Sequence, residues 1–100
     1  MKNFRTFNLA VEFYKQAQKL AINGHLKDQL DRASLSICLN LAEGRQRRTT
    51  TDQKRFFNIA LSSLREVQGL LIILDLNESF YWKQLDCLAA HLYKLIQNAE

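Results

Sequence analysis

Residues 30–68 read LDRASLSICLNLAEGRQRRTTTDQKRFFNIALSSLREVQ, and this stretch decides the fold. Ahead of Gly44, apolar residues return every three or four positions at Leu30, Ala33, Ile37 and Leu41. Beyond the threonines they return at the same step: Phe57, Ala60, Leu64 and Val67. Each spacing marks one face of an α-helix. The connection between them, Arg45 to Thr51, has no hydrophobic residue and opens a basic segment. Over 45–55, Arg45, Arg47, Arg48, Lys54 and Arg55 oppose only Asp52, a balance of +4 that equals the net charge of all 100 residues. The rest of the chain is therefore neutral. Electrostatically the protein reads as one basic corner on a balanced body.

Downstream, the helix that opens this way is the longest. Thr50 with Gln53 three residues on fits a capping box, so it is expected to start near Thr51 and reach about Leu76. Its seam continues through Leu71 and Leu74 at heptad spacing. A second seam one residue earlier, Phe56, Ile59, Leu70 and Ile73, is interrupted by Ser63 and Glu66. With Leu61, Ile72 and Leu76 added, the back half of this helix is apolar nearly all round. A helix apolar on most sides must be covered on most sides, which points to a second subunit. Gly69 costs such a helix about 1 kcal/mol relative to alanine and suits close approach of another backbone.

Three further helices complete the reading. One spans Asn8 to about Ile22, with Ala10, Phe13, Ala17 and Leu20 as its stripe, and Asn23-Gly24 closes it. A second runs from His25 or Leu26 to about Gly44, and the last covers about Phe80 to Asn98 after an Asn77 or Ser79 cap, with Leu85, Leu88, Leu92 and Leu95 as its stripe. Proline is absent and glycine occurs three times, so little interrupts a helix. Short connections favour antiparallel neighbours. The expectation is an all-α, single-domain protein over 1–100: an up-down-up-down antiparallel four-helix bundle that forms a homo-oligomer.

Beside the stripe of the second helix runs a polar line: Gln29, Arg32, Ser36, Asn40, Glu43, Arg47. One reading is a solvated face. The sharper one makes Asn40 and Glu43 a structural pair, partly buried, with Arg32 or Arg65 as charge partner and Glu66 in the same polar cluster.

Other chemistry is sparse. No charge-free N-terminal apolar core of leader length is visible, and the longest strongly apolar run, Leu70–Leu74, is far below the ~20 residues that span a bilayer. Cys38 and Cys87 are expected to be reduced thiols, and a cytoplasmic location follows. His25 and His91 lack partners at HxxxH or CxxC spacing, so no metal and no cofactor are expected. Ser34 and Ser36 sit mid-helix rather than on a nucleophile elbow, and Glu43 and Glu66 lack the Glu-x-x-His pairs of di-iron bundles. No enzyme is read here.

The basic corner is the best chemical signal. Arginine clusters attract phosphate backbones through counterion release and bidentate geometry. Thr49, Thr50 and Thr51 add hydroxyls, and the N–H groups at a helix start favour anions. The segments that flank this corner also carry a resemblance. Gln29, Arg32-Ala33, Ser36-Ile37, Asn40-Leu41-Ala42-Glu43-Gly44, then Phe56/Phe57, Ile59-Ala60, Ser63-Leu64 and Glu66 follow a recognisable pattern. It resembles the four-helix-bundle family of 23S rRNA intervening-sequence proteins, which includes the accessory variability determinants of diversity-generating retroelements. The resemblance implies a ring, typically a pentamer, with a basic surface that binds nucleic acid and, in retroelement relatives, a reverse transcriptase. The expected function is a non-catalytic nucleic-acid-binding accessory factor, with Arg45, Arg47, Arg48, Lys54 and Arg55 on RNA or DNA phosphates. The competing expectation is a protein–protein scaffold without a nucleic-acid role.

Overall fold

A computed structural model describes residues 4–99; of the single domain read over 1–100, residues 1–3 and 100 lie outside the described residues. Four helices follow one another: α1 (Arg5–Ala17), α2 (Gly24–Arg45), α3 (Thr50–Ile73) and α4 (Phe80–Gln97). The described chain is all-α. Each helix packs on its neighbours in sequence, and α1 also packs on α4, which closes a four-helix bundle around one core. The 24 residues of α3 account for most of the 39 Å long axis, at about 1.5 Å per residue.

The stripes read from sequence form that core. Ala10, Phe13 and Ala17 from α1 meet Leu30, Ala33, Ile37 and Leu41 from α2. Phe57, Ala60, Leu64, Val67 and Leu71 from α3 join Leu85, Leu88 and Leu92 from α4. The end of α2 and the start of α3 reach the same pole as the start of α1 and the last residues of α4. Phe4 lies 6.5 Å from the Phe57 ring, and Leu95, Asn98 and Ala99 share a cleft with Arg45 and Phe57.

Helix ends differ from expectation at four places. The first helix starts at Arg5 and stops at Ala17, not Ile22, because the chain tightens there: Lys19 N–H bonds Gln16 O and Leu20 N–H bonds Ala17 O. Gly24 does adopt the left-handed backbone (φ 69°), yet it opens α2 rather than closing α1. At the end of α3 the turn sits on Asp75, the one described non-glycine residue with positive φ (59°). Its N–H bonds Ile72 O while Leu76 N–H bonds Leu71 O, the paired bonds of a Schellman ending. Finally, the cap of α3 is Thr49, whose hydroxyl accepts from Asp52 N–H, one residue ahead of the expected Thr50. Ser79 caps α4 as expected, accepting from Trp82 N–H.

The surplus of apolar side chains is real. Ile59, Ile72 and Ile73 of α3 and Leu35 and Leu39 of α2 are exposed, Ile73 by 65% and Leu39 by 58%. By length and composition α3 also passes for a membrane-spanning helix, contrary to the short apolar run noted above. Core helices pass the same test, and the buried seam of α3 enters the bundle core while α3 packs on α2 and α4.

Candidate nucleic-acid interface

All five basic residues of the corner fall on the last turn of α2, the link after it, and the first turns of α3. Close approach of the Phe56 and Phe57 side chains to the α2 backbone builds this pole. A Cβ placed on Gly44 would stand 2.6 Å from Phe57 Cε1, 2.8 Å from Phe57 Cδ1 and 3.1 Å from Phe56 Cβ. Only glycine at 44 lets α3 begin that close to the end of α2. Phe57 is then buried in the core and Phe56 is left half-buried beside it, facing the basic side chains.

Aromatic rings lie beneath three of the arginines. Arg47 and Arg55 both lie over the Phe56 ring, at 4.8 Å and 4.5 Å from its centroid, and Arg45 lies over Phe4 at 4.7 Å. Such cation–π contacts contribute about 0.5–1 kcal/mol at exposed sites, and they also limit where a long side chain goes. Arg47 is held further, by an ion pair with Glu43 one turn back and by its carbonyl, which accepts from Gln53 Nε2 at 3.1 Å. Its Nε is buried against the ring with no hydrogen-bond partner.

The acids divide the cluster in two. Glu43 pairs with Arg47, and Asp52 lies 3.7 Å from Arg55. Arg45, Arg48 and Lys54 have no ion pair in the described structure, and Arg45 and Arg48 are exposed. The sequence balance of +4 over 45–55 overstates the field of the corner, because Glu43 folds onto it from one turn before.

The polar line of α2 is solvated at Gln29 and Arg32 and half-buried at Ser36, Asn40 and Glu43, and Asn40 and Glu43 bond to other partners rather than to each other. It faces α3 along a groove, where the two interruptions of the second α3 seam receive it. Arg32 forms an ion pair with Glu66, and the Ser36 and Ser63 hydroxyls lie 2.8 Å apart. Asn40 Nδ2 donates to Ser36 O at 2.9 Å and to Ser36 Oγ at 3.2 Å. Glu43 takes neither Arg32 nor Arg65; its partner is Arg47, the i,i+4 pair that the helix spacing favours. Arg32 is committed to Glu66, and Arg65 donates to Gln68 and lies over Tyr93 on another side of α3. With Glu43 about 45% exposed, the several-kcal/mol cost of an unpaired buried charge does not apply to it.

The profile of the 23S rRNA-intervening sequence protein family matches residues 4–98. The chain belongs to that family. No curated protein matches the sequence. The family match takes in α1 and α4 as well as the α2–α3 stretch that carried the resemblance, so the whole bundle is the family's unit.

In this intervening-sequence family chain two contributors to the pole were not legible from local spacing. Phe4, half a chain away from Arg45, becomes its platform, and Arg5 brings another exposed cation to the start of α1. Arg5 Nε donates to His91 Nε2 at 3.3 Å, while His91 Nδ1 lies 2.9 Å from Cys87 O and 3.9 Å from Cys87 Sγ. His91 thus has partners after all: Cys87 is i−4 on the same helix, a spacing that could have been found. Among the described residues no group of three or more His, Cys, Asp or Glu gathers as a metal site. Cys38 is buried and Cys87 exposed, both free, and burial pushes the Cys38 thiol up to about 11.

Proposed function

We propose that this protein is a non-catalytic, oligomeric accessory protein of the cytoplasm that binds nucleic acid at the pole where α2 ends and α3 begins. One observation carries the reading: Arg45, Arg48 and Lys54 are gathered there without acidic partners among the described residues, with Arg45 over Phe4 and Arg47 and Arg55 over Phe56 beside them. Cations of this kind neutralise phosphates, and no helix offers side chains for reading a groove, so little sequence preference is expected. The family's name refers to an rRNA, which makes RNA the first ligand to test. The resemblance to retroelement accessory proteins adds a reverse transcriptase as a candidate partner.

Assembly belongs to the same proposal. The bundle is read as up-down-up-down, and the exposed Leu35, Leu39, Ile59 and Ile73 as surface covered by further copies. With 11.7 kDa chains, a ring of the size the resemblance implies has about five times that mass by light scattering. A ring repeats the basic pole, and multivalency then raises avidity without new contacts.

A salt titration of RNA binding tests the function. Wild type should lose affinity steeply with salt, with a slope of roughly −0.7 per phosphate neutralised on single strands. Replacing Arg45, Arg47 and Arg48 by alanine should flatten that slope without changing helicity or oligomer mass. Most of the change should come from Arg45 and Arg48, since Arg47 already has Glu43. Equal binding by both proteins, or none by either at low salt, would leave a second reading: a protein–protein scaffold, favoured by the same exposed apolar residues.

A further inference from the structure

Between the basic pole and the end of α4 lies a cleft of about 290 Å³, lined by Arg45, Gln53, Phe57, Leu95, Asn98 and Ala99. Its size is near the lower end of ligand pockets, roughly 300–1,000 Å³. Its chemistry is mixed in a particular way. The walls are the Phe57 edge, Leu95 and Ala99, all apolar. Polar groups rim it, and they include acceptors as well as donors. Gln53 spends its NH2 on the Arg47 carbonyl, which leaves its Oε1 to accept. Asn98 is exposed, and its side-chain amide brings one donor group and one acceptor. Arg45 lies over Phe4 and has no ion pair among the described residues.

A bare phosphate has no use for apolar walls or for amide acceptors. A flat heteroaromatic ring with donors and acceptors on its edge, attached to a phosphate, uses all three features. We propose that this cleft takes one unstacked nucleobase of a single-stranded segment, with the adjoining phosphate on Arg45. The proposal rests on the phosphate-binding reading of the same pole and narrows its ligand from any polyanion to single strands or frayed ends. The ring enters against Phe57 and Leu95, its edge meets Gln53 Oε1 and the Asn98 amide, and the outer plane of Arg45 is open for a neighbouring base. Duplexes keep their bases stacked and paired, so they reach the cations but not the cleft.

Fluorescence anisotropy with three labelled probes of equal length separates the two readings: a mixed-sequence single-stranded RNA, the same strand carrying abasic sites, and a blunt RNA duplex. Base contacts of this kind are worth about tenfold in affinity. Wild type should therefore bind the single strand about tenfold tighter than the abasic strand at matched salt. Ala99→Trp fills the cleft without removing a cation and should erase that preference while keeping most of the salt slope. Asn98→Ala, at the exposed C-cap of α4, should reduce it severalfold. Circular dichroism on both variants guards against a folding defect, and Asn98→Ala keeps the test decisive if Ala99→Trp is poorly folded. No preference for bases in wild type, or a preference that survives both substitutions, overturns the cleft and leaves phosphate binding standing. Absence of binding to every probe at low salt overturns both.

Discussion

Gly44 and Gly69 are both helical glycines, and the space around them is opposite. At Gly44 the place where a Cβ would go is already filled by the Phe57 ring and Phe56 Cβ; at Gly69 nothing lies within 4 Å. The first glycine is needed by this chain's own fold, since it sets how closely α3 starts against α2. The second serves no contact within the chain, and it sits among the exposed Ile72 and Ile73 and the Glu66 turn of α3. A glycine in a helix costs about 1 kcal/mol against alanine, so at Gly44 packing repays that cost and at Gly69 nothing in the single chain does. The same residue type thus marks a closed contact at the basic pole and an open one on the outer face of α3.

The largest expected effect is at the closed site. In Gly44→Ala, overpacking against a buried ring costs about 1–3 kcal/mol, against a helix gain near 1, and steric loss wins because Phe57 is only 3% exposed. A thermal melt should show a lower Tm, by roughly 4–8 °C per kcal/mol lost. An unchanged or higher Tm would mean that the ring moves aside freely and the contact is not a constraint.

Whether that loss stays at the pole is read at the thiols. A thiol reagent near pH 8 should label exposed Cys87 quickly and buried Cys38 slowly in wild type. If Gly44→Ala loosens only the pole, Cys38 keeps its protection. Cys38 also gives a pH signature. Its thiol titrates near the ordinary 9.0 when unfolded and at about 11 when folded. Its contribution is complete below about 9; between 9 and 11 the unfolded chain holds fewer protons, and stability falls as pH rises. Urea melts across that range should show the decline, and Cys38→Ala should remove this part of it.

At the open site the sign reverses. Gly69→Ala should stabilise an isolated chain by about 1 kcal/mol. A loss of stability or of oligomer mass would instead place a second chain's backbone against Gly69. The smallest effect belongs to the α2–α3 groove. Arg32 and Glu66 are 58% and 41% exposed, so a double-mutant cycle should give a coupling of at most about 1 kcal/mol, reduced by salt. A larger coupling would mean that the pair is covered in the assembled protein.

Much of this was legible from residue spacing. The four stripes name the core, because a 3.6-residue period leaves no other face for Leu30–Leu41 or Phe57–Leu71 to bury. Ser63 and Glu66 register as breaks in an apolar seam, but their meaning depends on which residues of α2 lie opposite, and that is a matter of register between helices. The cap of α3 falls on Thr49 where three consecutive threonines compete, a choice that local chemistry hardly resolves. Phe4 beneath Arg45 and the cleft beside Ala99 join the two ends of the chain, so no window of sequence contains them.

The link between α2 and α3 is only Gln46 to Thr49, and this brevity has a kinetic consequence. Closing so short a loop costs little chain entropy, and contacts close in sequence form fastest. The α2–α3 hairpin, Gly24 to Ile73, is therefore the expected nucleus of folding, with α4 docking afterwards. On a ribosome, the arginines and the rings beneath them emerge before any residue of α4. The basic half of the pole can thus take shape while the wall formed by Leu95, Asn98 and Ala99 is still to be synthesised.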